Sequence, residues 1–134
     1  MGVVLRELRR GHAAAIFAMG TEEECQVLDF LQELAKDDPG EAARTWALIK
    51  RTADHGTPRA ETKCRFFRKI KVFEFKTRGG VRVMAFWDED QVIICSHGFV
   101  KKSQKTPKTQ LERATTLRNE YLTAKTNGQL VYND

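Results

Sequence analysis

Apolar positions along the chain switch period once, and the switch divides it into a helical half and a strand half. Val27, Leu28, Leu31 and Leu34 recur at helical spacing and make one apolar stripe. Thr21 and Glu24 ahead of them have capping-box spacing, in which each side chain satisfies a backbone N–H that a helix start leaves orphaned. A first helix is therefore predicted from this box to about Asp37. Asp38 caps a second helix with Pro39 at its first position, where a missing N–H costs nothing. Ala42, Ala43, Trp46, Ile49 and Ala53 are its expected apolar face, and Gly56 with Pro58 stops it. Together the two make an antiparallel hairpin.

From Cys64 onward the period shortens to two. Val72 to Thr77 reads as a strand, Arg78-Gly79-Gly80 as a turn, Val81 to Trp87 as its partner, Asp88-Glu89-Asp90 as a second turn and Gln91 to His97 as a third strand. Two connections this short imply an antiparallel meander. In the middle strand Val81, Val83 and Ala85 face one side, and Arg82, Met84 and Phe86 the other. A helix hairpin covering the first side leaves Arg82 on the second. Gly98 is expected to release the chain into a basic loop, and Thr106-Pro107 to open a last helix to about Leu122, with Leu111, Ala114, Leu117 and Tyr121 inward. Ahead of the hairpin, residues 3 to 19 contain a strand whose best stretch is Ala15 to Met19. The expectation is an α+β fold: N-terminal strand and helix hairpin on an antiparallel sheet, then a C-terminal helix. It forms one domain over residues 1–134, with 1–10 and 126–134 its least ordered parts, the latter a tail.

Composition narrows the class. The 134 residues suit one modest core, with 41% hydrophobic and 31% charged, a globular balance. The longest apolar run, Ala13 to Met19, is far short of a bilayer span. Arg9-Arg10 ahead of it resembles a signal peptide only faintly, because Glu22-Glu23-Glu24 follows at once. Cys25, Cys64 and Cys95 are odd in number and form no CxxC pair; this disfavours a disulfide framework or zinc site and fits a reducing cytoplasm. His12, His55 and His97 are equally scattered, so neither a metal nor another cofactor is expected. The net charge of +5 is uneven. Residues 63–110 hold twelve Lys/Arg and four acids, a net +8, against eleven and fourteen, a net −3, elsewhere. Such a segment points to a polyanion, with nucleic acid the leading candidate.

The most informative stretch is His97-Gly-Phe-Val-Lys-Lys-Ser-Gln-Lys-Thr-Pro107. It is a strand end, a Gly turn, three lysines within five positions and a helix start, where Lys101, Lys102 and Lys105 could converge on phosphates. Preceded by Phe-Glu-Phe-Lys and Val-Arg-Val-x-Ala-Phe, it resembles the phage-derived RelE/HigB-type toxin family over roughly Cys64 to Leu122; the helices before it are similar in order and length. The resemblance implies a compact RelE-like α+β fold and the toxin of a type II toxin–antitoxin pair. Such a toxin cleaves mRNA without a metal, typically at the ribosome, and is held inactive by an antitoxin that often carries a helix-turn-helix domain.

Metal-free RNA cleavage needs a base for the 2′-OH, an acid for the leaving oxygen and cations for the charge growing on the phosphoryl oxygens. By its place in Val-Arg-Val, Arg82 resembles the family's phosphate-stabilising arginine, a role that suits a guanidinium fork. Lys76 resembles a residue used in proton transfer, for which crowding by other cations must lower its pKa. Lys102 and Lys105 join these as catalytic candidates; Arg78, Lys101, Lys71 and Lys108 are RNA-binding candidates. Lys76 and Arg78 read equally well as solvated edge charges. His97 has the ordinary pKa of an acid/base but reads better as a satisfied group beneath the loop. Glu74, the one acid in the basic sheet region, is a base or, preferably, a structural partner of Arg82. Phe86 and Trp87 could stack on bases, with core packing the default for at least one. Two other classes stay open: a non-catalytic nucleic-acid-binding phage protein of the same fold, and an interaction protein docking an acidic segment.

Overall fold

A computed structural model describes residues 2–101 and 105–133. The elements are β1 (Val3–Arg10), β2 (Ala15–Gly20), α1 (Gln26–Asp37), α2 (Pro39–His55), β3 (Cys64–Phe67), β4 (Val72–Lys76), β5 (Val81–Asp88), β6 (Val92–Val100), α3 (Lys108–Thr126) and β7 (Leu130–Asn133). One seven-stranded sheet runs β3-β4-β5-β6-β2-β1-β7. Its first four strands form the antiparallel meander that the short turns imply, extended by β3 at the edge. The other side departs from expectation. Residues 3 to 20 make two strands, not one, and β2 lies parallel to β6, so the sheet is mixed. The segment read as a tail ends in β7, parallel to β1. No helix of the described residues is long and apolar enough to cross a membrane.

The helix hairpin covers one face and α3 the other. Val27, Leu31, Leu34, Leu48 and Ile49 pack on Ile16, Phe73, Phe75, Val83, Ile93 and Cys95. On the far face Leu5, Phe17, Met84, Phe86 and Ile94 meet Ala114, Tyr121 and Ala124 of α3. The caps of α2 form as their chemistry dictates: Asp38 Oδ1 accepts the Glu41 N–H at 3.2 Å, Pro39 takes the first position, and Gly56 ends the helix at φ +88°. Its inward face is corrected in part. Ala42, Ile49 and Ala53 are buried, but Ala43 and Trp46 are exposed, and Thr45, Leu48 and Thr52 take their places. The Thr21–Glu24 pair closes a turn, the Thr21 hydroxyl accepting the Glu24 N–H at 3.0 Å, and α1 starts only at Gln26.

Strand β6 does not stop at Gly98. Met84 pairs with His97 and Ala85 with Cys95, so Ser96 is an extra residue, a bulge whose hydroxyl donates to the Met84 carbonyl at 3.4 Å. One inserted residue exchanges the two faces of everything after it. Cys95 faces the helix hairpin, whereas His97 and Phe99 face α3 with Met84 and Arg82. Gly98 consequently turns to the hairpin, where a Cβ would run into the Phe30 ring.

Only Ala114, Tyr121 and Ala124 of α3 are fully buried, so polar anchoring matters for this helix. The Tyr121 hydroxyl donates to Asp88 Oδ2, and Lys125 Nζ bonds Oδ1 at 2.7 Å, while the ring packs edge-on against Phe86. Burial alone pushes the Asp88 carboxyl up, but the Lys125 and Tyr121 hydrogen bonds outweigh it and hold the group below its ordinary range. Asp88→Ala is expected to lower the unfolding free energy by about 2–3 kcal/mol, the scale of hydrogen bonds to a charged group, read from urea denaturation. Adding Tyr121→Phe should then cost little more, since both changes delete the same bond; fully additive losses would contradict the shared latch.

Candidate nucleic-acid interface

Across the α3-side face, the strand register gathers charge at one end of the meander. Arg65 of β3 stands opposite Glu74 of β4, and Lys76 opposite Arg82 of β5. Glu74 is fully buried; the Thr106 hydroxyl donates to its two oxygens, at 2.8 and 3.1 Å. Arg82 is only 7% exposed. Its Nη1 donates to the carbonyls of Thr77 (3.1 Å) and Val81 (2.8 Å), fixing the guanidinium at the strand end. Nε lies 3.9 Å from Glu74 Oε2, close enough for charge attraction but too far for a hydrogen bond, and is a buried donor with no partner among the described residues. Burial lowers the Arg82 pKa and Glu74 opposes that shift.

Lys101, immediately after β6, belongs to the same cluster. Its backbone N–H donates to the Gly80 carbonyl at 2.8 Å, and Gly80 (φ +92°) lies so close to the Lys101 carbonyl that a Cβ would collide with it. Burial lowers the pKa of its ammonium, and the cations of Arg82, Lys76 and Arg65 lower it further, against the pull of Glu74. Cation crowding of the kind that a lysine base requires thus acts on Lys101. Arg65, whose guanidinium also lies 5.1 Å from the Phe67 ring centroid, was not legible as a site residue, because β3 carries no turn signal linking it to Glu74.

Opposite α3, a second buried acid positions the β4–β5 turn. Glu41 of α2 accepts from Arg44 Nε at 2.6 Å, from the Thr77 hydroxyl at 2.9 Å and from the Gly79 N–H. Burial pushes its carboxyl up, but the Arg44 and Thr77 bonds prevail and hold it below the usual range. A Cβ on Gly79 would occupy the space of the Glu41 carboxylate. The turn carrying exposed Arg78 is therefore clamped to α2 and, through the Thr77 carbonyl, to Arg82.

Other expected residues lie elsewhere. Lys71 is exposed in the β3–β4 turn at φ +58°, at the other end of β4 from Lys76, a separation of roughly 13–16 Å at strand rise. Lys108 opens α3 beside Arg68 and Lys69 at that same distant turn. Lys105 is exposed in the β6–α3 connection, and Lys102 lies outside the described residues. Phe86 is core, while Trp87 is partly exposed. All three cysteines are buried; burial pushes the Cys64 thiol up to about 12. His97 is 2% exposed and stacks on Phe99. Its Nδ1 lies 3.2 Å from the Ser96 hydroxyl and its Nε2 3.0 Å from Gln110 Oε1; the neutral tautomer with Nε2–H donating to Gln110 satisfies both nitrogens when the Ser96 proton turns from the Met84 carbonyl to Nδ1. Burial pushes its pKa down to about 4, so the imidazole is neutral near pH 7.

Residues 29–119 match the sequence profile of the Gp49-like phage-derived proteins (DUF891). The matched span is more than half the chain, and the protein belongs to that family. Comparison with curated proteins gives no significant match.

The buried imidazole has a consequence for stability. With its folded pKa near 4 and its unfolded value near 6.5, the unfolded chain binds a proton at His97 in that window that the folded chain does not. Stability is therefore expected to fall as pH drops from 6.5 toward 4, by about 3 kcal/mol at most. Urea unfolding across the window measures it, and His97→Gln should flatten the profile; an unchanged slope would show that another group carries it.

Proposed function

We propose that this protein is the toxin of a toxin–antitoxin pair and an endoribonuclease that cleaves mRNA at the ribosome. The reading rests on membership of a phage-derived family associated with RelE-like toxins, and one observation carries it. Arg82 is buried, fixed by two carbonyls, and keeps an Nε without a partner among the described residues, in a cluster with Lys76, Lys101 and Arg65. An unsatisfied buried donor of this kind costs about 1–3 kcal/mol, and a phosphoryl oxygen would satisfy it.

In the proposed reaction the RNA 2′-oxygen attacks its neighbouring phosphorus and the bond to the 5′-oxygen breaks, leaving a 2′,3′-cyclic phosphate and a 5′-hydroxyl. Arg82 stabilises the charge that grows on the phosphoryl oxygens. Lys101, its pKa lowered by burial and neighbouring cations, takes the proton of the 2′-hydroxyl in its neutral form. Lys76 holds the adjoining phosphate, while Arg78 and Lys105 meet the strand on either side. Glu74 orients Arg82 and holds the loop through Thr106; it is already engaged on both oxygens, which favours the structural role over that of base. No cofactor enters this scheme. The proposed partner is a cognate antitoxin with a helix-turn-helix domain, encoded beside this gene and masking the basic cluster.

Induced expression without the antitoxin is expected to arrest growth, and Arg82→Ala to relieve the arrest. In a cell-free translation extract, Arg82→Ala should slow message cleavage by about 10²–10³-fold, the scale of losing one donor to a transition-state oxyanion. Wild-type cleavage should quicken with pH up to the lowered pKa of Lys101, and Lys101→Gln should abolish that rise. Full toxicity of Arg82→Ala would overturn the site assignment. Salt-sensitive RNA binding with no cleavage by the wild type would instead establish a non-catalytic binding protein.

A further inference from the structure

On the hairpin side of the same sheet end lies a depression of about 590 Å³ between α2 and the β3–β4 edge. Its rim is cationic: Arg44 and Arg51 from α2, Lys63 from the approach to β3, and Lys76 and Arg78 from β4 and its turn, over a floor of Ala47 and Leu48. A smaller depression of about 290 Å³ adjoins it through the shared Arg51 and Lys63 and adds Arg59 and His55. No acidic side chain among the described residues lines either one. Among the described residues, Arg44 alone of these has an ion pair, with Glu41 beneath the rim. Arg51, Lys63, Arg78 and Arg59 are exposed.

We infer that this groove binds the backbone of a single-stranded RNA and carries the strand whose scissile phosphate lies at Arg82. The inference deepens the proposed ribonuclease function and rests on it. Three observations support this occupant. The cations come from two sides, α2 and the sheet edge, and Arg44 and Arg51 are two helical turns apart, about 10 Å along the axis. A flexible strand with several phosphates matches cations spread over such a length. The groove also meets the Arg82 cluster around the end of β4, where Lys76 stands opposite Arg82 in the ladder on the other face and, with Thr77 and Arg78, lines the depression. Finally, the shallow Ala47–Leu48 floor suits the face of a ribose or base better than a charged group. In the sequence, Arg44, Arg51 and Arg59 lie outside the basic 63–110 segment, in a stretch where acids offset them, so the charge map alone misses the groove.

The test measures binding separately from cleavage. Fluorescence anisotropy of the full chain with a labelled 2′-O-methyl oligouridylate, which has no free 2′-hydroxyl to attack, is recorded over a KCl series. Arg51→Gln with Lys63→Gln should weaken binding about tenfold or more and lower the slope of log K against log salt by about 1.4, because each lost phosphate contact contributes about 0.7. Both residues are exposed, so the thermal midpoint should not move. Arg9→Gln with Arg10→Gln, on β1 near the opposite edge of the sheet, should change neither quantity. Unaltered affinity and slope in Arg51→Gln/Lys63→Gln would overturn the inference. So would loss of poly-glutamate binding with RNA binding intact, which would make the groove a dock for an acidic protein segment. Failure of the ribonuclease reading is distinct: the wild type would bind the methylated strand through this groove yet leave an unmodified message intact.

Discussion

Burying a carboxylate in the middle of a sheet is costly, and the placement of Glu74 organises what surrounds it. An isolated buried charge is untenable, so partners must come to it. Thr106 comes from the connection before α3 and donates to both oxygens, tying that connection to β4. Arg82 comes from the neighbouring strand and lies across the carboxylate without a full hydrogen bond, since the Thr77 and Val81 carbonyls hold its Nη1. Thr77 in turn is held by Glu41 on the opposite side of the sheet. Two buried acids, one from a helix and one from a strand, thus fix a single guanidinium from both sides. The cations around it are the electrostatic consequence of gathering the ends of four strands at one place.

What was legible in the sequence is what local chemistry determines. Asp38-Pro39 and Gly56 mark α2 because caps act within a few residues, and the two tight turns of the meander state their own pairing. The side of Arg82 followed from strand alternation and holds. What stayed hidden depends on partners remote in the chain. The parallel edges between β2 and β6 and between β1 and β7 carry no turn between them. The Ser96 bulge leaves no compositional mark, yet it alone sends His97 and Phe99 to the face of Arg82. Thr21 and Glu24 have the spacing of a capping box and still close only a turn, because the chain must first carry Cys25 into the core. Of the proposed site residues, Arg82 and Lys76 lie on the Phe-Glu-Phe-Lys and Val-Arg-Val strands that the sequence marks, whereas the neighbours of Lys101, Arg65, Lys76 and Arg82, come from three other strands that no local signal ties to it.

Charge has to be read by location. A segment with net +8 suggests one continuous basic surface, but the fold splits it. Lys71 and Lys108 go to the β3–β4 turn, while Arg65, Lys76, Arg82 and Lys101 collect at the opposite end of the same strands. Groups in the first set are exposed and screened by salt within a Debye length. Those in the second share a partly desolvated site, where charges act on one another strongly enough to shift a lysine. Residues of the same type therefore produce unequal chemistry, and of these two sets the second has the mutual proximity that general base catalysis by a lysine requires.

Stability alone does not account for Arg82. Replacing a buried ion pair by well-packed apolar residues of similar volume is often neutral or favourable by about 1–4 kcal/mol. Here Met84 on the same strand and Phe99 opposite Arg82 on β6 are apolar neighbours on that face, so such a replacement has somewhere to pack. The pair is also incomplete, with Nε left over, which makes it a poorer stabiliser than a saturated bridge. A fold that keeps a half-satisfied guanidinium at a sheet end, clamps it through Thr77 and surrounds it with cations gives up stability at that position. Local inconsistency of this kind collects at functional sites, where the missing partner is supplied from outside. In the proposed reading the surrounding positive charge selects that partner: an anion with oxygen acceptors, small enough to meet Nε and extended enough to reach Lys76 beside it.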